Sequence, residues 1–284
     1  MVLAAGQGRR LRPLTALRPK PLCPVGNQAL IDRSLEQVGR VTPLIAVNLH
    51  HGQALIEQHL DGRDVGRTAG QPTIHRSIER SEPLGTAGAL AQLRPWIDGR
   101  NALVVNADGW SDAALTAFAD GWDGERVRVL MTAPSSGWPG DGRPAFGPAV
   151  GLVASLLPWS ELSRLATEPS GLYEVVWRRA HAEGRLDVVV DAGRFVDCGR
   201  PADYLRANRL ALDEWCRTIG GAGAGSMIAD GARIDGRIER SVIGARAVVA
   251  GTVVDSVVWP DSRVEPDERL VRAVRAGRLT VEVR

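Results

Sequence analysis

From Met1 to Thr218, short apolar runs alternate with stretches whose apolar residues recur three and four positions apart. The runs Met1–Ala5, Leu44–Leu49, Pro72–Ile78, Ala102–Val105, Val127–Met131 and Val150–Ala154 predict strands. Between them, Leu30, Ile31, Leu35 and Val38, then Leu55, Ile56, His59 and Leu60, fall on single helical faces. A last helix is predicted over Pro201–Thr218, where Leu205, Leu212, Trp215 and Cys216 share a face. Strands alternating with helices predict an α/β domain with a doubly wound, mostly parallel sheet, covered on both faces and open to ligands at the carboxyl ends of its strands. Met1 falls almost inside the first strand, a short one for a sheet centre, and leaves a start further upstream open.

The pattern changes after Thr218. Glycine and alanine fill positions 220–225, which predicts a linker. Beyond it, Ser226–Ile234, Ser241–Val249 and Ser256–Val264 superimpose at a period of 15 residues. Within each copy an aliphatic recurs six positions on, Ile228 with Ile234, Ile243 with Val249 and Val258 with Val264, and a small residue, Ala232, Ala247 or Ser262, falls between. Six-residue spacing of an inward aliphatic predicts a hexapeptide β-helix that stacks these positions coil on coil; a small antiparallel sandwich is the alternative. The expected division is a domain over 1–219, a linker over 220–225 and a β-helix domain over 226–284. So few coils need capping by the first domain or by another chain, so a homo-oligomer formed through the repeats is one expectation.

Composition removes several classes. The 284 residues are 44% apolar, enough for a substantial core. No apolar run reaches the roughly 18 residues that span a bilayer, and no segment has the layout of a signal peptide. Cys23, Cys198 and Cys216 are scattered and lack metal spacing, which fits a reducing cytoplasm. Acids and bases are mixed to a net charge of +2 and no basic stripe interleaves with aromatics, which excludes a nucleic-acid partner. No serine, histidine and aspartate order predicts a nucleophile, and all five histidines precede residue 182.

Among the basic residues one choice is unusual. The chain holds 34 arginines and a single lysine, Lys20. Arginine serves nearly every surface charge, so a lone lysine points to a place that needs a compact ammonium. Lys20 lies a few residues after Gly6 and Gly8, which follow the first strand and let backbone N–H groups turn towards a phosphate. Arg9, Arg10, Arg12, Arg18 and Lys20, with no acid in the same segment, make a local anion trap.

Leu3–Thr15 followed by Arg18–Gly26 resembles the signature of sugar-1-phosphate nucleotidyltransferases, with Arg9 where many members have Thr or Ser. The resemblance implies a Rossmann-like catalytic domain followed by a short left-handed β-helix. It also implies transfer of a nucleotidyl group from an NTP to a sugar 1-phosphate, with release of pyrophosphate. Leu3, Ala5, Gly6 and Gly8 would then bind the nucleotide, Arg10 would hold the triphosphate and Lys20 would contact the reacting phosphates. Attack of one phosphate on another calls for a divalent cation held by carboxylates. Asp108 follows a strand and Asp197 lies between a short strand and the last helix; both segments resemble the family's metal-binding stretches, which implies that the two hold Mg²⁺ jointly. Cys198 and Arg200 depart from the Asp-Val-Gly-Thr-Pro of many members.

Glu82–Leu90 resembles guanylyltransferases acting on mannose 1-phosphate, which implies that Glu82, Gly85 and Thr86 lie at the base and ribose. The sugar side departs most from the pattern. No second lysine is present for the sugar phosphate, so Arg143, in a Gly/Pro-rich stretch, stands as its replacement, and Glu174 stands as the ligand of sugar hydroxyls. A non-catalytic NDP-sugar sensor is the reading this shortened side leaves open.

Overall fold

The structure, a computed structural model, describes residues 1–65, 73–132, 151–191, 193–219 and 225–283. The chain divides by contact into two compact units, one formed by Met1–Gln7 and Ile31–Phe195, the other by Gly8–Leu30 and Val196–Arg284. The second unit takes in the arginine-rich segment and the last helix together with the repeats, whereas a change of composition alone marks only the boundary near 219.

The first unit is built on a seven-stranded sheet of β1 (Val2–Leu3), β2 (Leu44–Leu49), β3 (Thr73–Ile78), β4 (Ala102–Asn106), β5 (Val127–Thr132), β6 (Gly151–Leu157) and β7 (Leu186–Asp191). The strand order is β7-β5-β6-β4-β1-β2-β3. All neighbours are parallel except β6, which runs against both β4 and β5. β1 is central, with Val2 opposite Val47 on one side and Val105 on the other. It is shorter than the apolar run, because the Ala4 N–H leaves the ladder and donates to Asn48 Oδ1 at 2.9 Å.

Ala46 and Val47, and likewise Val104 and Val105, are all buried although successive residues point to opposite faces, so both faces are covered. On one face, helix α3 (Gly85–Gln92) and the helical turns after Gly171 bring Leu90, Val176 and Ala180 onto Ala46, Val104 and Val129. Helices α1 (Leu30–Gly39) and α2 (Gln53–Val65) bury Ile31, Leu35 and Val38, and Ile56 and Leu60, as their spacing predicts; Leu55 is exposed instead. Each such buried aliphatic stabilises the fold by about 1.5–3 kcal/mol.

In the second unit, Pro24–Val25 and Gln28–Ala29 form a hairpin whose turn residues, Gly26 and Asn27, have φ of 58° and 63°. Helix α4 (Pro201–Thr218) matches its expected bounds, with Pro201 in the first turn, where its missing N–H costs nothing, and Arg217 at the negative end of the dipole. The repeats form a three-sided parallel β-helix, not a sandwich. Met227–Ile228, Val242–Ile243, Val257–Val258 and Ala273–Ala276 stack along one side; Arg233–Ile234, Val248–Val249 and Arg263–Val264 stack along the second; Arg237–Glu239, Thr252–Val254 and Arg269–Val271 stack along the third.

Ile243, Val249, Val258 and Val264 fill its interior, with Ala247 between them. Ile228 departs from the expected pattern: it lies on the edge strand of the first coil and is 47% exposed. A serine column, seen in the sequence only as the first residue of each copy, ties the coils together. Ser241 N donates to Ser226 Oγ, Ser256 N to Ser241 Oγ and Ala273 N to Ser256 Oγ, at 3.0–3.1 Å. Each hydroxyl thus satisfies a corner N–H that the strand ladders do not reach.

Candidate active site

The expected site residues fall into two groups, one in each unit. In the second unit Gly8, Arg10, Lys20 and Asp197 come together. Gly8 has φ +60°, and a Cβ there would stand 3.0 Å from Lys20 Cβ and 3.1 Å from Thr15 Cγ2. A bare backbone therefore lets the lysine pass beneath the loop, while the Thr15 hydroxyl donates to the Gly8 carbonyl at 3.0 Å. The Lys20 ammonium meets Asp197 Oδ1 at 2.9 Å, and Arg10 Nη2 meets Asp197 Oδ2 at 2.9 Å. Burial alone would raise the Asp197 carboxyl, but the hydrogen bond and charge of Lys20, with those of Arg10, outweigh it and hold the group below the ordinary carboxylate range.

The two cations differ: Lys20 is 4% exposed and Arg10 64%. Gly199 completes the arrangement, since a Cβ there would stand 2.9 Å from Arg10 Nη2 and 3.1 Å from Asp197 Oδ2. Arg18 does not join this group. Its guanidinium lies over the Trp259 ring, 4.8 Å from the centroid, so the anion trap read from the first twenty residues loses that member. Burial pushes the nearby Cys23 thiol up to about 12 against the pull of Arg18 and Lys20, which keeps it protonated and unfit as a nucleophile.

In the first unit, Leu3, Thr86 and Glu174 line one cleft of about 230 Å³ above the carboxyl ends of β1 and β4, together with Asn106, Tyr173 and Trp177. Glu174 stands on a turn wider than an α-helix, in which the Arg178 N–H reaches back to the Tyr173 carbonyl, and such turns gather at functional sites. Ala5 is buried and Gly6 exposed, with open space where a Cβ would stand. Asp108 occupies the turn that leaves β4.

The glycines of Glu82–Leu90 have a different use from the one expected. A Cβ on Gly85 would stand 2.5 Å from the Ser170 carbonyl oxygen and one on Gly88 2.2 Å from that of Glu168, so the close approach they permit is made by this chain's own backbone. Thr86 fixes the same contact by accepting the Leu172 N–H at 2.8 Å. Glu82 is exposed. Arg143 lies outside the described residues.

Two supports of this site carry no local sequence signal. Glu79, 2% exposed, accepts from Asn48 Nδ2 at 2.6 Å and from Leu84 N at 2.8 Å, and Asn48 Oδ1 accepts from Ala4 N. One buried carboxylate thus fastens both the start of the glycine loop and the loop that enters α3. Trp110, two residues after Asp108, is fully buried between the guanidinium groups of Arg33 and Arg194, at 4.8 and 5.2 Å. Arg33 and Gln37 hold the Ser111 carbonyl, and Arg194 pairs with Asp112 at 2.7 Å, which fixes the short strand Gly109–Ser111 that follows Asp108.

Residues 1–133 match the nucleotidyl transferase family model. The chain is 34% identical to an N-acetylmuramate alpha-1-phosphate uridylyltransferase of Caulobacter vibrioides, over 74% of this chain and 96% of that protein. It is 28% identical to a probable mannose-1-phosphate guanylyltransferase of Oryza sativa subsp. japonica, over 96% of this chain and 79% of that one. The protein belongs to the nucleotidyl transferase family. Among solved structures it resembles a putative glucose-1-phosphate thymidylyltransferase of Bacillus anthracis, with a TM-score of 0.59 and 17% identity over 74% of this chain and 93% of the other, a likeness of fold. No helix among the described residues is long and apolar enough to cross a membrane.

Proposed function

We propose that the protein is an NDP-sugar pyrophosphorylase: an oxygen of a sugar 1-phosphate attacks the α-phosphorus of an NTP, the bond to the β-phosphate breaks, and pyrophosphate leaves. The observation that carries this reading is the buried Lys20 ammonium and the exposed Arg10 guanidinium converging on one carboxylate beside a glycine loop. Asp197 accepts from both cations and leaves one positive charge unbalanced between them. A triphosphate competes for the same donors, and Arg10, with most of its side chain in solvent, is the one free to turn towards it. Lys20 stays in place as the fixed donor to charge that spreads over the phosphates in the transition state.

Asp108 and Asp197 are the proposed ligands of Mg²⁺. Hard oxygen donors suit that ion, and the lowered Asp197 carboxyl is ionised at neutral pH. Such an ion takes one or two carboxylates and completes its shell with substrate and water. When bound, it neutralises phosphate charge and orients the attacking group.

The relatives named above suggest two substrate pairs, UTP with an N-acylated sugar-acid 1-phosphate and GTP with mannose 1-phosphate. Val104, Leu152, Leu172 and Trp177, the apolar walls of the first-unit cleft around Glu174, favour the bulkier, N-acylated acceptor. Three free cysteines fit a cytoplasmic setting, and a homo-oligomer formed through the β-helix is the proposed assembly. Pyrophosphate release measured with four NTPs against a panel of sugar 1-phosphates tests the reading. Turnover with a matched pair is expected, and binding of an NDP-sugar without pyrophosphate release from any pair would replace the enzyme by a sensor.

A further inference from the structure

The repeat breaks its own pattern at one position. Ala229, Gly244 and Trp259 are equivalent, each directly after the aliphatic Ile228, Ile243 or Val258. Two coils take almost no side chain there, so the coil itself does not call for an indole. Trp259 is 2% exposed, and the hydrogen bond and ring contacts of its side chain lie within its own unit but outside the coils. Its Nε1 donates to the Tyr204 hydroxyl at 2.9 Å, the two rings stand edge to face at 6.4 Å, and the Arg18 guanidinium lies over the indole.

Tyr204, on α4, donates in turn to the Pro24 carbonyl, and burial keeps its phenol protonated for that bond. Arg18 and Pro24 bracket Lys20. Two further ties hold the same segment, Gly26 N to Asn208 Oδ1 at 3.1 Å and Asn27 Nδ2 to the Ile243 carbonyl at 3.0 Å.

We propose that Trp259 is a positioning residue for Lys20: acting through Tyr204 and Arg18, the β-helix holds residues 18–24 so that the ammonium stands against Asp197. The catalytic use of that ammonium rests on the function proposed above; its placement does not. The only lysine of the chain reports on itself, because every acylated side-chain amine is Lys20.

The test is the rate of Lys20 acylation by acetic anhydride, read by mass spectrometry, in wild type and in Trp259→Phe, Trp259→Ala, Tyr204→Phe and Val253→Ala. Trp259→Phe keeps a ring beneath Arg18 and loses the N–H, and should acylate about tenfold faster, the factor that one net hydrogen bond represents. Tyr204→Phe should behave alike, and Trp259→Ala should go further. Val253, at 0% exposure in the coil interior and in neither bond, is the control: its truncation should lower the melting temperature and leave Lys20 protected. In the active enzyme the same Trp259 and Tyr204 variants should raise KM for the NTP more than KM for the sugar 1-phosphate. Unchanged Lys20 reactivity in folded Trp259→Phe and Tyr204→Phe would overturn the proposal, and so would equal exposure of Lys20 in Val253→Ala. If no substrate pair turns over, the acylation result still decides the matter.

Discussion

Asp197→Asn removes one negative charge from between two cations and leaves the shape almost unchanged. The amide keeps a single acceptor, so it can answer Lys20 or Arg10 but not both, and its NH₂ then faces a cation. The two limbs differ in strength. Arg10 is 64% and Asp197 46% exposed, so their pair contributes at most about 0.5 kcal/mol. Lys20 is 4% exposed, and a charged hydrogen bond to such a group stabilises by about 1.5–3 kcal/mol, reduced by roughly half for the solvent on the Asp197 side.

The variant is therefore expected to lose about 1–2 kcal/mol at neutral pH, or about 2–5 °C in melting temperature for a chain of this size. The folded carboxyl lies below its ordinary value, so its contribution is fully present above the unfolded value of about 3.9 and fades as pH falls through the folded one. Melting curves of the two proteins should differ by the same amount at about pH 7 and pH 5 and converge below about pH 4. Equal melting temperatures at neutral pH, or a gap that persists unchanged in acid, would refute the pairing as the origin of the effect.

Lys20→Ala should lower turnover by about two to three powers of ten, and Lys20→Arg should also be poor because a planar fork does not fit beneath Gly8; near wild-type pyrophosphate release by the arginine variant would remove the case for a compact ammonium. Asn48→Ala leaves Ala4 N and one Glu79 oxygen without their partner and should cost about 1–3 kcal/mol in urea unfolding, whereas an unchanged midpoint would show that the glycine loop is fastened by other means. Ile243, at 0% exposure in the middle of the stack, should tolerate Asp at a cost of about 3 kcal/mol or more, visible as a lower melting temperature or a changed oligomer size in light scattering.

Periodicity carried the fold as far as local rules reach. The α4 bounds, strands β2 to β6 and the 15-residue coils follow from apolar runs and from spacings of three, four and six, whereas β7 (Leu186–Asp191) is not predicted from the sequence. What periodicity does not carry is the identity of a partner. Glu79 and Asn48 are polar residues 31 positions apart whose pairing is visible only once β2 and β3 lie side by side. The resemblance places Gly85 at the base and ribose, and the close approach it permits in the structure is made by the Ser170 carbonyl of the same chain. Arg18 read as one more phosphate donor until Trp259 supplied a ring for it. Lys20 was legible for a different reason: a residue type used once shows against a background of arginine, whatever the fold.

The discontinuity of the second unit also sets an order of assembly. Its first piece, Gly8–Leu30, leaves the ribosome about 165 residues ahead of Val196, an interval on the order of ten to thirty seconds at usual rates of synthesis. Through that time Leu11, Leu14 and Val25, buried in the finished chain, lack the part of their unit that begins at Val196. The seven-stranded sheet is complete in sequence by Asp191, while the contact between Lys20 and Asp197 closes a loop of 177 positions and forms among the slow ones. A nascent chain can therefore hold most of its mass in native form and still lack the carboxylate against which the Lys20 ammonium stands. The proposed catalytic site is complete only with the last third of the polypeptide.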